Sequence, residues 1–152
     1  MITELVPASI KEGRKWRYTT DTPSEGWMRE DFEATQWKEG EAGFGGPGLK
    51  GATVRTPWVT KEIWLRTEFD IPARSNQAKI LLSVFHDDEA EIYINGELLT
   101  KLDKWATEYV PVNLDEKASS LFREGKNTIA VHVHQDAGGQ FFDLGLLQRV
   151  DR

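Results

Sequence analysis

Hydrophobic and polar side chains alternate regularly between residues 79 and 101. Apolar residues recur at every second position over 80–85 and again over 90–94, the period of a half-buried β-strand. The polar run His86-Asp87-Asp88 separates these two strands. Asn95-Gly96 follows the second strand, and this dipeptide tolerates the two positive φ angles of a type I′ turn. The pattern predicts a twisted antiparallel meander.

The same period of two predicts further strands at residues 16–20, 62–71, 128–135 and 140–147. Helical periodicity is weak: we predict a short helix within 114–122, and a short helix or a compact turn over 29–38. Many strands separated by turn signals, with little helix, are typical of an antiparallel β-sandwich. We therefore predict an all-β fold, with a single β-sandwich domain over 16–152 and an N-terminal tail or edge segment over 1–15.

Composition excludes several classes of function. The chain has 152 residues, which suits one domain, and no cysteine, so disulfides, thiolate metal sites and cysteine nucleophiles are excluded. Its 19 basic and 25 acidic residues give a net charge of −6 without a basic block, so we expect no nucleic-acid partner. No apolar run approaches the roughly 18 residues of a membrane span, so we expect no membrane partner.

The N-terminal residues lack the apolar core of a signal peptide. Two interpretations follow: the protein is cytoplasmic, or the sequence is a domain of a longer, exported polypeptide. We favour the second, an extracytoplasmic location.

Five segments resemble, in the same order, the jelly-roll sugar-binding domain of family 2 glycoside hydrolases and its galactose-binding-like relatives. They are Asp31–Trp37, Ile63–Pro72, His86–Leu99, Leu121–Val133 and Gly138–Leu146. The resemblance implies an antiparallel jelly-roll sandwich that is not catalytic and that accompanies a catalytic domain. In family 2 enzymes the catalytic carboxylates lie in a separate barrel, and one such barrel alone takes about 250 residues.

Sugar recognition requires a flat ring for the C–H face of a pyranose and planar polar groups for its hydroxyls. Trp58 and Trp105 lie among polar residues in predicted loops, so we expect both rings to be exposed. Gln140 would supply an amide, and His86 and Asp88, at the end of a buried strand, would bind a hydroxyl. We predict these five residues as a carbohydrate site.

The adjacent carboxylates Asp87 and Asp88 have two other interpretations. They suit a structural Ca²⁺, and apart from this ion we expect no cofactor. Alternatively, they form a tight turn in which their side chains cap backbone N–H groups.

The spacing of His132 and His134 places both imidazoles on one face of a strand. With His86 they would form a three-histidine site for Zn²⁺ or Fe²⁺, as in a small cupin-like enzyme. The alternative is a half-exposed sheet face on which the imidazoles pack or form hydrogen bonds.

The function that we predict is a non-catalytic accessory domain of a glycoside hydrolase-like protein, which binds glycan or buttresses a catalytic domain. Its partner would be a glycan or the catalytic domain of a parent polypeptide. Two alternatives remain: the cupin-like enzyme, and a purely structural interaction domain.

Overall fold

The computed structural model describes residues 2–72 and 78–150. Met1, the first residue of the predicted N-terminal segment, and residues 151–152, the end of the predicted sandwich domain, lie outside these ranges. Within them the chain forms one short helix and a series of strands: β1 (Ile2–Val6), β2 (Lys15–Thr19), β3 (Lys38–Glu41), β4 (Phe44–Gly45), β5 (Thr56–Pro57), β6 (Glu62–Ile71), β7 (Ala78–Asp87), β8 (Glu89–Ile94), β9 (Glu97–Leu102), β10 (Val110–Val112), α1 (Glu116–Ser119), β11 (Gly125–His134) and β12 (Phe141–Val150).

The strands form two sheets, which confirms the predicted all-β sandwich. The first sheet has the order β10-β7-β12-β4-β5, and β1 also pairs with β12. The second has the order β3-β2-β6-β11-β8-β9. Neighbouring strands are antiparallel, with the exception of the parallel pair β4 and β5.

The core lies between the two sheets, and the period of two in the sequence determines which side chains reach it. Val84 and Leu144 from the first sheet and Leu65, Ile92 and Val131 from the second are all 0% exposed. They belong to one continuous apolar cluster. Burial of each such side chain stabilises the fold by about 1.5–3 kcal/mol.

The turn between β8 and β9 has the predicted geometry. Asn95 and Gly96 both have positive φ, 50° and 89°, and Ile94 pairs with Glu97 across the turn. The side chain of Asn95 also accepts a hydrogen bond from the Thr128 N–H and donates one to the side chain of Asn127. The two asparagines therefore join this turn to the first residues of β11.

Arg66 connects the second sheet to the irregular segment between β2 and β3. It is 6% exposed, and its guanidinium donates to the carbonyl oxygens of Trp27, Arg29 and Phe32. The guanidinium also lies over the ring of Phe32, 5.4 Å from its centroid. Two of the segments that carry the family resemblance, Asp31–Trp37 and Ile63–Pro72, thus meet through one buried arginine.

The single helix in the described ranges, α1, lies within the predicted segment and begins after Asp115, whose carboxylate accepts from the Ala118 N–H at 2.7 Å. With four residues, it is not long enough to cross a membrane, and the described residues contain no other helix that could.

Candidate functional site

Two connections between the sheets lie side by side at one end of the sandwich. Strand β7 pairs with β12, so that Asp87 is opposite Phe141. Strand β8 pairs with β11, so that Glu89 is opposite His134. Because β7 leads into β8 and β11 leads into β12, the β7–β8 connection and the connection 135–140 are neighbours in space.

These two connections and the loop after β9 enclose an open groove of about 600 Å³. Its lining residues are Asp87, Asp88, Glu89, Asp103, Lys104, Trp105, Asp136, Ala137, Gly138 and Gly139. Trp105 is 62% exposed, as predicted, and its backbone pairs with that of Asp87. An exposed indole beside polar side chains offers the apolar face and the polar partners that a sugar requires.

Asp88 supports the wall of the groove. Its carboxylate accepts a hydrogen bond from the Asp136 N–H at 2.7 Å and a longer one from the Ala137 N–H at 3.4 Å. His86 lies behind it and contacts the Asp88 carbonyl oxygen through Nδ1 at 2.8 Å, so that Nδ1 carries the proton. Asp88 therefore caps backbone N–H groups, as one of the alternatives from the sequence predicted, although on a neighbouring turn.

Asp87 is the unusual titratable group of the groove. It lines the groove although its side chain is nearly buried, at 6% exposed. Burial, followed by the hydrogen bond to the Asp88 carboxyl and the charge of that group, raises the pKa of Asp87 to about 7. At neutral pH this site is therefore divided between a neutral and a charged form.

The loop that carries Trp105 is fastened to the first sheet by Tyr109. The Tyr109 hydroxyl donates to the Asp143 carboxylate at 2.5 Å, and the same carboxylate oxygen accepts from the Ser9 N–H at 2.8 Å. Asp143 is 1% exposed, and burial raises its pKa. Nothing in the spacing of the sequence indicates this contact between three distant segments.

Three predicted site residues do not line the groove, and one of them is His86, which is 5% exposed. Trp58 is 2% exposed, so the expectation of an exposed ring is wrong: its indole belongs to the core, and Nε1 donates to the Glu62 carbonyl oxygen. Gln140 is also buried, and its amide donates to the Thr60 carbonyl oxygen at 2.9 Å. It follows Gly139, a groove residue, but does not line the groove itself.

The three histidines do not converge, so the predicted three-histidine site is wrong. His86 shares a face of β7 with Val84 and therefore points between the sheets, whereas His132 and His134 alternate with core residues of β11 and point away from the core. Strand β11 itself stands between the two groups. Across residues 2–72 and 78–150, no group of three or more His, Asp or Glu side chains is arranged to hold a metal ion.

His132 and His134 instead share one carboxylate. Glu62, on the neighbouring strand β6, contacts His132 Nε2 at 2.6 Å and His134 Nδ1 at 2.5 Å. His134 Nε2 contacts the Asp136 carboxylate at 3.0 Å, and His132 stacks on Trp64 with ring centroids 4.7 Å apart. The half-exposed sheet face is thus the interpretation that the structure supports.

The shared carboxylate affects the protonation of His134. The hydrogen bond to Glu62 is the largest cause that holds the pKa of His134 above its usual value, and the negative charges of Glu62 and Asp136 act in the same direction. Sequence reasoning missed Glu62. Glu62 lies opposite His134 because β6 pairs with β11, which the sequence alone does not indicate.

No protein-family model matches the sequence, and no curated protein is similar to it by sequence. Solved structures are similar in fold. A beta-glucuronidase from glycoside hydrolase family 2 superposes with a TM-score of 0.69 at 15% identity, covering 97% of this chain and 18% of that one. A beta-glycosidase from Bacteroides vulgatus gives 0.62 at 18% identity, covering 97% and 20%.

A beta-glucuronidase from an uncultured Clostridium sp. gives a TM-score of 0.63 at 14% identity, covering all of this chain and 29% of that one. The chain thus spans only 18–29% of the length of these three structures. Identities this low show a common fold. The chain has the fold of one β-sandwich segment of enzymes from glycoside hydrolase family 2.

Proposed function

We propose that this chain is a non-catalytic, carbohydrate-binding accessory domain of a glycosidase and that the groove beside Trp105 is its glycan site. One observation carries the proposal: an indole that is 62% exposed stands over a groove lined by carboxyl groups. Stacking on the indole would remove the apolar face of a pyranose from water, and the carboxyl groups would accept hydrogen bonds from its hydroxyls.

The hydrogen bonds that hold the walls of the groove favour a binding site that is formed before the ligand binds. Asp88 caps the turn that forms one wall, and Tyr109 fastens the loop that carries Trp105. Pre-organised loops lose little conformational entropy on binding, which leaves more of the contact energy for affinity.

The pair Asp87 and Asp88 also favours a non-catalytic role. Glycosidases need two carboxyl groups on opposite sides of the scissile bond, about 5–10 Å apart. Asp87 and Asp88 are consecutive and hydrogen-bonded to each other, and Asp88 is engaged by backbone N–H groups. We therefore assign this pair to binding and support.

The test is titration calorimetry against a panel of soluble oligosaccharides, with Trp105→Ala as the variant. We expect at least one oligosaccharide to bind and Trp105→Ala to weaken that binding by about tenfold, the effect of about 1.4 kcal/mol. Leu98→Ala is the matched control, because Leu98 is another exposed large apolar residue, 51% exposed, and does not line the groove. Binding that survives in Trp105→Ala would contradict the site.

A second partner, the catalytic domain of a parent polypeptide, is supported by apolar residues elsewhere on the surface. Arg55, which follows Val54 in the sequence, donates to the Ser9 and Ile10 carbonyl oxygens and so ties the segment of Val54 to that of Ile10. Both apolar residues are exposed, at 57% and 37%. The test is the paired variant Ile10→Asp/Val54→Asp, made in the parent polypeptide. If this surface buttresses the catalytic domain, the variant should lower the Tm of that domain. An unchanged Tm would show that this surface is not the buttress.

The proposal includes an extracytoplasmic location, as part of a longer exported protein, because polymeric glycans are met outside the cell. Fractionation of cells that express the parent gene tests it, and recovery in the cytoplasm alone would contradict it.

A further inference from the structure

We propose that His134 is a positioning residue of the groove: its imidazolium holds the carboxylate of Asp136 in place, and loss of the proton releases that carboxylate. Asp136 lines the groove, whereas His134 lies on the outer face of β11 and does not line it. The effect of this contact on glycan affinity rests on the proposed function, since it concerns the same groove.

Both ring nitrogens of His134 face carboxylate oxygens. Nδ1 lies 2.5 Å from Glu62 Oε1, and Nε2 lies 3.0 Å from Asp136 Oδ1. A neutral imidazole has one N–H and one lone pair, so it can donate to only one of two carboxylates, whereas the imidazolium donates to both. The observed pair of contacts is therefore that of the protonated ring.

The contact with Asp136 is the one that loses its donor when the proton leaves. Glu62 is closer to the ring, and its hydrogen bond is the largest cause that holds the pKa of His134 above its usual value. Nδ1 therefore keeps its N–H, and Nε2 is left with a lone pair that faces the Asp136 carboxylate. The Asp136 side chain is 64% exposed, so water can solvate it when it turns away.

The charged and titratable groups around His134 come from the two strands that pair with β11 and from its own segment. They are Glu62 on β6, Glu89 and Glu91 on β8, and His132 and Asp136 along the chain. Within the described part of the chain, His134 forms ion pairs only with Glu62 and Asp136. His132 contacts Glu62 but not Asp136. Among these groups, His134 is thus the link between the outer face of the sheet and the groove.

The turn that carries Asp136 is held from two sides. The Asp88 carboxylate accepts from the Asp136 N–H at 2.7 Å and fixes the backbone, and the His134 imidazolium fixes the side chain. Because Asp136 binds His134 through Oδ1, its Oδ2 can accept a hydrogen bond from a sugar hydroxyl. A fixed acceptor loses less conformational entropy on binding, so the groove should bind glycan more tightly below the folded pKa of His134 than above it.

The first experiment follows the free protein by NMR between pH 5.5 and 8.5. We expect the carboxyl carbon of Asp136 to shift in one step, at the pH at which the His134 imidazole titrates, because one proton governs both. Asp87 also lines the groove and has a pKa of about 7, so the spectra are recorded for the wild type and for Asp87→Asn. A His134 titration without a step at Asp136, or a step that disappears in Asp87→Asn, overturns the inference.

His134→Gln tests the origin of the step. Glutamine retains a donor but does not titrate, so the step at Asp136 should vanish. His132→Gln is the matched control, because it removes the other imidazole on Glu62, and it should keep the step, at a different pH. Asp136→Asn, at an exposed position, is the second variant should His134→Gln not fold. It should lower the pKa of His134, and an unchanged imidazole titration overturns the inference.

Calorimetry with cellotetraose and β-1,4-galactotetraose, two probes whose charge does not change with pH, measures the effect on the groove. In Asp87→Asn we expect binding that is about two- to fivefold tighter at pH 5.5 than at pH 8.5, the range that an exposed ion pair contributes. In Asp87→Asn/His134→Gln this difference should vanish.

A difference that survives in the double variant, or no difference for a probe that binds, overturns the inference and leaves the proposed function standing. If neither probe binds, the proposed function fails for these glycans, and the step at Asp136 decides the inference by itself.

Discussion

The carboxylate of Asp88 accepts a hydrogen bond from the backbone N–H of Asp136 at 2.7 Å, across 48 positions of the sequence. This contact joins the β7–β8 connection to the β11–β12 connection. Since both connections line the groove, the contact holds one of its walls. The shape of the candidate site therefore depends on a side chain that is itself nearly buried, at 5% exposed.

Asp88→Ala should destabilise the protein by about 1–3 kcal/mol, because it leaves backbone donors of the neighbouring turn without their acceptor. Urea denaturation measures this loss, and hydrogen exchange should show faster exchange of the Asp136 and Ala137 amides. Asp103→Ala, at an exposed position in the same groove, is the control and should change stability by less than about 0.5 kcal/mol. Equal effects of the two variants would contradict the supporting role of Asp88.

Asp87→Asn should stabilise the protein more at pH 8 than at pH 5, because pH 5 already lies inside the window in which the carboxyl group costs stability. Burial raises the pKa of Asp87 to about 7 from an ordinary value of 3.8, so the folded state binds more protons than the unfolded state between these values, and stability falls as pH rises through that window. The amide removes this loss, by about 1–3 kcal/mol. Urea denaturation at the two pH values measures it, and a stabilisation of equal size at pH 5 would contradict the titration as the cause.

His134→Gln should remove a second contribution to the pH dependence. Glu62 holds the pKa of His134 above its usual value, so the stabilisation is fully present below the unfolded pKa and is lost as pH rises through the folded pKa. Because the His134 side chain is 37% exposed, solvent screening limits this contribution to about 1 kcal/mol or less. Thermal unfolding between pH 5.5 and 8.5 measures it.

Asp136→Asn is the comparison for that experiment. It removes one of the two carboxylates that contact His134 and leaves Glu62 in place. We expect a smaller loss of pH dependence than in His134→Gln, and NMR titration of the imidazole should show a lower pKa for His134. An unchanged imidazole titration would contradict the assigned contact.

Arg66→Met should destabilise the protein by about 3 kcal/mol or more, because three backbone carbonyl groups lose a charged donor inside a packed segment. Arg66→Lys should recover only part of this loss, since an ammonium cannot reproduce the planar fork of the guanidinium. Arg29→Lys is the control, because the Arg29 side chain is 67% exposed. Guanidinium denaturation measures all three, and a neutral Arg66→Met would show that the segment packs without this contact.

The local pattern of the sequence was sufficient for the strands and for the turn at Asn95-Gly96. A period of two and a dipeptide that tolerates positive φ act over a few residues, so they can be recognised without knowledge of distant segments. The layered fold followed from the same pattern, since alternating apolar faces must be buried against each other. This is why Leu82 and Val84, two positions apart in the apolar run 80–85, both lie in the core.

Tertiary structure alone decided which side chains form the site. Trp58 and Trp105 both lie among polar residues in predicted loops, yet one indole is 2% exposed and the other 62%, because loop packing against the sheets determines exposure. The strand pairing likewise separated His86 from His132 and placed Glu62 beside the latter. Contacts between residues far apart in sequence depend on sheet register and loop paths, and a local pattern contains no information about either.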